Sequence, residues 1–109
     1  MVIKSNRDLR ESFMFVSIKL EDPAENELFT VSHEVPDTDK VQKIYRLIWD
    51  YWYNNTHIYL GSASLEGGCF RLRIAKGGGF MGLKPSDTSI ANAKQFVEDV
   101  FDQVLRGLA

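Results

Sequence analysis

The last quarter of the chain carries an apolar stripe that only a helix can satisfy. Ala93, Phe96, Val97, Val100, Phe101, Val104, Leu105 and Leu108 recur at spacings of three, one and three, while Lys94, Glu98, Asp99, Asp102 and Arg106 take the opposite side. That period is helical, and it persists for four turns. Pro85 with Ser86 or Asp87 marks the start of this helix. A stripe this broad must lie across another apolar surface, most simply a sheet. The chain must therefore supply strands upstream.

It does so in two pairs. Residues 12–20 place Met14, Val16, Ile18 and Leu20 on one face and Phe13, Phe15, Ser17 and Lys19 on the other. Such alternation, in β-branched and aromatic types, predicts a strand with a half-covered second face. A turn over Glu21–Asn26 contains Pro23, and residues 27–35 then alternate again, with Phe29, Val31, His33 and Val35 together. The two strands read as a hairpin with a longer loop. Asp37 is a good N-cap for a helix whose stripe runs through Val41, Ile44, Tyr45, Ile48, Tyr51 and Trp52, widened by Leu47 and ended by Asn54-Asn55. A second hairpin follows: residues 57–65, the turn Glu66-Gly67-Gly68, then 69–75 with Phe70, Leu72 and Ile74 inward. The expected fold is α+β, in the order β-β-α-β-β-α, an antiparallel four-stranded sheet with both amphipathic helices on one face. Residues 12–109 form the single domain, and residues 1–11 a tail or short helical turn.

Composition narrows the function classes. Thirteen basic and fifteen acidic residues leave a net charge of −2, so the chain as a whole has no electrostatic case for nucleic acid. The single cysteine, Cys69, makes neither an internal disulfide nor a multi-cysteine metal site. No apolar run reaches the ~18 residues of a membrane span, and the start of the chain is too polar for a signal peptide. A soluble cytoplasmic protein without membrane association is expected.

Catalytic chemistry finds no constellation. His33 and His57 lack ligands at the spacing of a metal site, and nothing beyond residue type marks them out. Cys69 follows a Gly-Gly turn with no helix N-terminus to activate its thiol. No metal, cofactor or catalytic residue is expected, and the chain reads as no enzyme. Gly77-Gly78-Gly79 after Lys76 lacks the Gly-Lys-Ser/Thr ending of a phosphate loop and lies in no parallel βαβ unit, so it reads as a flexible connector or a partner-binding loop. Phe80 and Met81 follow it directly and either plug the core or dock on a partner. Lys19, Arg71, Arg73 and Lys76 project from the outward sides of two strands, with Phe13 and Phe15 beside Lys19, and suggest a sheet face for single-stranded nucleic acid. A solvated charged face explains them more simply. Trp49, Trp52 and Tyr53 crowd one segment. Trp49 and Tyr53, four apart, share one flank and should touch, and a helix cannot turn every one of these rings inward. This is the most plausible partner surface.

The segments Ile44–Trp52, Leu60-Gly61, Cys69–Arg73 and Ala93–Leu108 resemble the type III secretion chaperone-like fold, which a bacterial family labelled sensory-transduction regulators also uses. There, an amphipathic helix leads into an antiparallel hairpin and a long C-terminal amphipathic helix. The resemblance spans about two thirds of the chain and rests on no diagnostic motif. It implies a small acidic homodimer that binds segments of other proteins and has no catalytic residues. The expected function is a non-catalytic, chaperone- or adaptor-like interaction module, dimeric, binding another protein through Trp49, Trp52, Tyr53, Phe80 and Met81. The alternatives are the nucleic-acid module on Lys19, Arg71, Arg73 and Lys76, and a small phage- or toxin-directed protein inhibitor.

Overall fold

The computed structural model describes residues 14–108. The expected tail over 1–11, the domain boundary at residue 12 and Phe13 lie outside the described residues. The order is β1 (Met14–Glu21), β2 (Glu27–Val35), α1 (Thr38–Thr56), β3 (Leu60–Glu66), β4 (Cys69–Ile74), a single 3-10 turn over Phe80–Gly82, and α2 (Asp87–Leu105). The α+β class and the β-β-α-β-β-α order are as the periodicity predicts.

The sheet itself is mixed. Its strand order is β2-β1-β4-β3. Each hairpin is antiparallel, but the hairpins join through a parallel β1–β4 ladder, with Ile18 opposite Phe70 and Leu20 opposite Leu72. Local alternation reveals which strands neighbour each other in sequence; it does not reveal which edges of two hairpins meet. Here the two strands with the most completely buried inward rows take the centre. Val16, Ile18, Leu20 and Leu72 are fully buried, and central placement covers their backbone edges on both sides.

Both helices lie on the face formed by these residues. Asp37 caps α1, its carboxylate accepting the Lys40 N–H at 2.8 Å, and the Ser86 hydroxyl caps α2 by accepting from the Ser89 N–H at 3.1 Å. Ala93, Val97, Val100, Phe101 and Val104 of α2 are buried, and each of the larger ones contributes on the order of 1.5–3 kcal/mol. Leu108 is not on this stripe. Gly107 is left-handed and its N–H donates to Val104 while that of Leu108 donates to Gln103, which ends the helix and leaves Leu108 exposed. At the other end of the layer α1 runs past Asn54-Asn55. The Asn55 amide donates to the Tyr51 carbonyl and the Thr56 hydroxyl to that of Trp52. With those carbonyls satisfied, the left-handed cap falls at His57.

Candidate functional site

The aromatic flank of α1 divides by burial. Trp52 is 2 % exposed and its indole N–H donates to the Ile58 carbonyl at 2.9 Å. It belongs to the core and is withdrawn from the partner surface, because the heptad-like spacing Ile44, Tyr45, Ile48, Trp52 turns it toward the sheet. Tyr45 goes with it; burial, then the charge of the nearby Cys69, pushes its phenol pKa up. Tyr51, assigned to the stripe, is exposed.

Trp49 and Tyr53 do stand out, at 57 % and 45 % exposure, but each pairs with the sheet side. Trp49 leans over Phe70, centroids 6.5 Å apart, and Tyr53 lies on Tyr59 at 4.7 Å with their hydroxyls 3.0 Å apart. The hydrogen bond to Tyr59, then the repulsion of a second phenolate, raises the Tyr53 pKa. Trp49, Trp52, Tyr53, Ile58, Tyr59 and Leu60 line one groove of about 260 Å³ between α1 and the start of β3.

Beyond Tyr59 the glycine segment builds a finger, and it is held in place by backbone contacts. The Tyr59 N–H donates to the Gly78 carbonyl at 3.0 Å, and the Gly79 N–H to Leu83 at 2.8 Å. A Cβ on Gly79 would come within 2.2 Å of the Leu83 carbonyl oxygen, so glycine is needed for close approach. The segment expected as a flexible connector or a partner-binding loop is thus packed backbone against backbone. The finger ends in the 3-10 turn, where Met81 takes φ 56 and ψ 31. A non-glycine residue there is strained by on the order of 1 kcal/mol. Phe80 and Met81 are 81 % and 82 % exposed, so they do not plug the core. With Tyr53, His57 and Tyr59 they wall a second hollow of about 600 Å³.

The basic face looks different once its neighbours are placed. Lys19, Arg71 and Arg73 do share the helix-free face, opposite each other across β1 and β4. In their midst stands Glu21, which belongs to β1, not to the turn, and is almost wholly buried. Its carboxylate lies 3.2 Å from Arg73, 3.6 Å from Arg71 and 3.9 Å from Lys19; Arg73 also reaches Glu25, and Lys19 reaches Glu27. Three cations are thus met by three carboxylates of the same chain. Lys76 lies outside this cluster, exposed at the stem of the finger. Phosphate would have to displace these pairs.

The remaining candidates do not assemble. His33 sits exposed on edge strand β2 with its ring 4.7 Å from that of Phe101, and His57 occupies the α1 cap. Cys69 is a free, half-buried thiol. Among the described residues no three His, Cys, Asp or Glu side chains gather as a metal site would require, and no helix is long and apolar enough to cross a membrane.

No family model, curated protein or solved structure matches this chain.

The third strand, expected over residues 57–65, is present as β3, but the sequence reading missed that it lies uncovered. Its inward row, Leu60, Ala63 and Leu65, faces the same way as Ile74, Leu72 and Phe70. Yet Ala63 is exposed and Leu65 is 52 % exposed, because the helices stop short of this strand. The weak alternation over 57–65 was the available signal, since a covered strand would carry larger inward side chains.

Proposed function

We propose that this chain is a non-catalytic protein-interaction module of the cytoplasm, chaperone- or adaptor-like, that works as a dimer and grips another protein with the finger and the aromatic rings beside it. The observation that carries this reading is the exposure of Phe80 and Met81 on a backbone tied down on both sides. Exposed apolar side chains on a mobile loop lose entropy when they bind; on a fixed turn that cost is already met. Burying the two in a partner's pocket contributes on the order of 1.5–3 kcal/mol each, and a few such anchors dominate a typical interface. Tyr53 and Tyr59 flank the finger with apolar rings and hydroxyls that tolerate water, the composition enriched at interfaces. The left-handed backbone of Met81 supports the same reading, since a turn with no task beyond connection gains nothing from that strain.

Site-specific photo-crosslinking tests it. A crosslinking residue at Phe80 in the full-length chain should capture a defined partner in the source cell. The same residue at Lys94, exposed on α2, should not. Phe80→Asp with Met81→Asp should abolish retention of that partner while leaving the circular dichroism spectrum unchanged. Equal capture from both positions, or retention by the double variant, would refute the finger as the binding element.

A further inference from the structure

Among the described residues, strand β3 ends the sheet and pairs only with β4, which leaves its outer hydrogen-bonding edge open. An open edge is a template for another strand, and proteins usually block it with charge, proline or a cover. β3 has no proline, and its one charged side chain, Glu66, stands at its last position. The other edge, β2, carries two, Glu27 and Glu34. We propose that β3 pairs antiparallel with β3 of a second copy about a two-fold axis through Ala63, forming a continuous eight-stranded sheet. This takes up the dimeric form named above and rests on that part of the reading alone.

The pairing suits the residues present. A two-fold axis perpendicular to the sheet keeps both helix layers on one side. Ser62 then faces Ser64 of the second copy on the helix-free side. The same face already holds a serine pair across β1 and β2, Ser17 and Ser32, with hydroxyl oxygens 2.8 Å apart. On the helix side Leu65 meets Gly61, which has no side chain to obstruct it and sits where the β3–β4 register shifts. The rings of Tyr45 and Trp49 contact Phe70, so the aromatic flank of α1 reaches β4, one strand from the seam. There Trp49, more than half exposed, lines one groove with Leu60 of β3.

A charge exchange at the serine pair tests both the dimer and its register. Multi-angle light scattering of the full chain should return twice the chain mass. Ser62→Lys with Ser64→Lys places like charges opposite each other at both pairs and should halve that mass. Ser62→Lys with Ser64→Glu carries as many substitutions but sets lysine against glutamate across the axis, and should restore the dimer. Both positions are exposed but lie opposite Arg73 and Arg71 of β4, so the circular dichroism spectrum of each variant must first match that of the wild type. A monomeric wild type at millimolar concentration would overturn the proposal and leave the edge to a strand of some other protein. A dimer indifferent to the double lysine variant would overturn it too, by placing the contact elsewhere. Capture at Phe80 is read separately and does not depend on either outcome.

Discussion

Two tryptophans three residues apart on one helix should answer truncation with losses of very different size. Trp52 is 2 % exposed and Trp49 57 %. A buried tryptophan removes on the order of 200 Å² from water. At ~25 cal/mol per Å² that is about 5 kcal/mol for the whole side chain, an upper value because the unfolded chain already hides part of it. Trp52→Ala keeps only the Cβ and leaves a cavity beside Phe96, whose ring sits 6.3 Å from the indole. It also strips the Ile58 carbonyl of its donor, a further loss of about 1 kcal/mol. The expected destabilisation is about 4 kcal/mol, most of what a domain this small can lose. Trp49→Ala removes a half-solvated ring resting on Phe70 and should cost about 1 kcal/mol or less in the monomer. Urea unfolding followed by circular dichroism measures both without relying on the fluorescence of the residue removed. The protein should be dilute, because a contact between copies would add a concentration-dependent share to Trp49 alone. Equal losses for the two variants, or a loss below about 1 kcal/mol for Trp52→Ala, would refute the division of the aromatic flank into core and surface.

Gly79→Ala should destabilise the chain by about 2 kcal/mol or more, since the new methyl meets the Leu83 carbonyl; differential scanning calorimetry measures it, and a neutral result would mean the finger relaxes freely. Asp22 accepts hydrogen bonds from the backbone of Asn26 and Ala24 and from the Asn26 amide. Chiefly the Asn26 contacts hold its carboxyl below the usual range. A depressed carboxylate stabilises the fold above its unfolded pKa, about 4, and that share fades as pH falls through the folded value. The stability gap between wild type and Asp22→Ala, from urea melts between pH 2 and 7, should therefore be constant at neutral pH and narrow below about pH 4. A gap that widens on acidification contradicts the assignment.

Periodicity carried the elements and failed at their junctions. The α2 stripe announces its helix because every inward position is apolar, and β2 runs over the very residues its alternation marks. Trp49 and Trp52 defeat the same logic: both are aromatic, both lie near the edge of the α1 stripe, and a turn of about 300° between them decides which one is buried. Glu21 was legible only in hindsight. Beside Asp22-Pro23 it reads as turn, and its three cations come from β1 and from β4, fifty residues on. Opposite charges on strands distant in sequence cannot be matched until the pairing of β1 with β4 is known. The glycine run has the same ambiguity, since a sequence of glycines serves equally for freedom of motion and for close packing. Only the distance from Gly79 to Leu83 separates the two.

The bare corner of the sheet follows from where its large side chains are. Two helices span roughly 16–20 Å, about the width of four strands, so full cover was geometrically available. The layer instead sits toward β2, whose inward row is Phe29, Val31 and Val35, all buried, and whose edge residue His33 lies against Phe101 of α2. The row of β3 offers Ala63 and a glycine between its leucines, and an offset that covered it would expose larger groups on β2. Burial scales with apolar area, so the layer settles over the richer strands. What remains uncovered is a small-residue strand with an open edge, flanked by Trp49 and, at its start, by Tyr59 and the finger. On the opposite side of the sheet Glu21, Glu25 and Glu27 consume the charge of Lys19, Arg71 and Arg73. Among the described residues, the surface free of these ion pairs is therefore apolar and lies at one end of the strand order, where, on the reading proposed above, a neighbouring molecule extends the sheet.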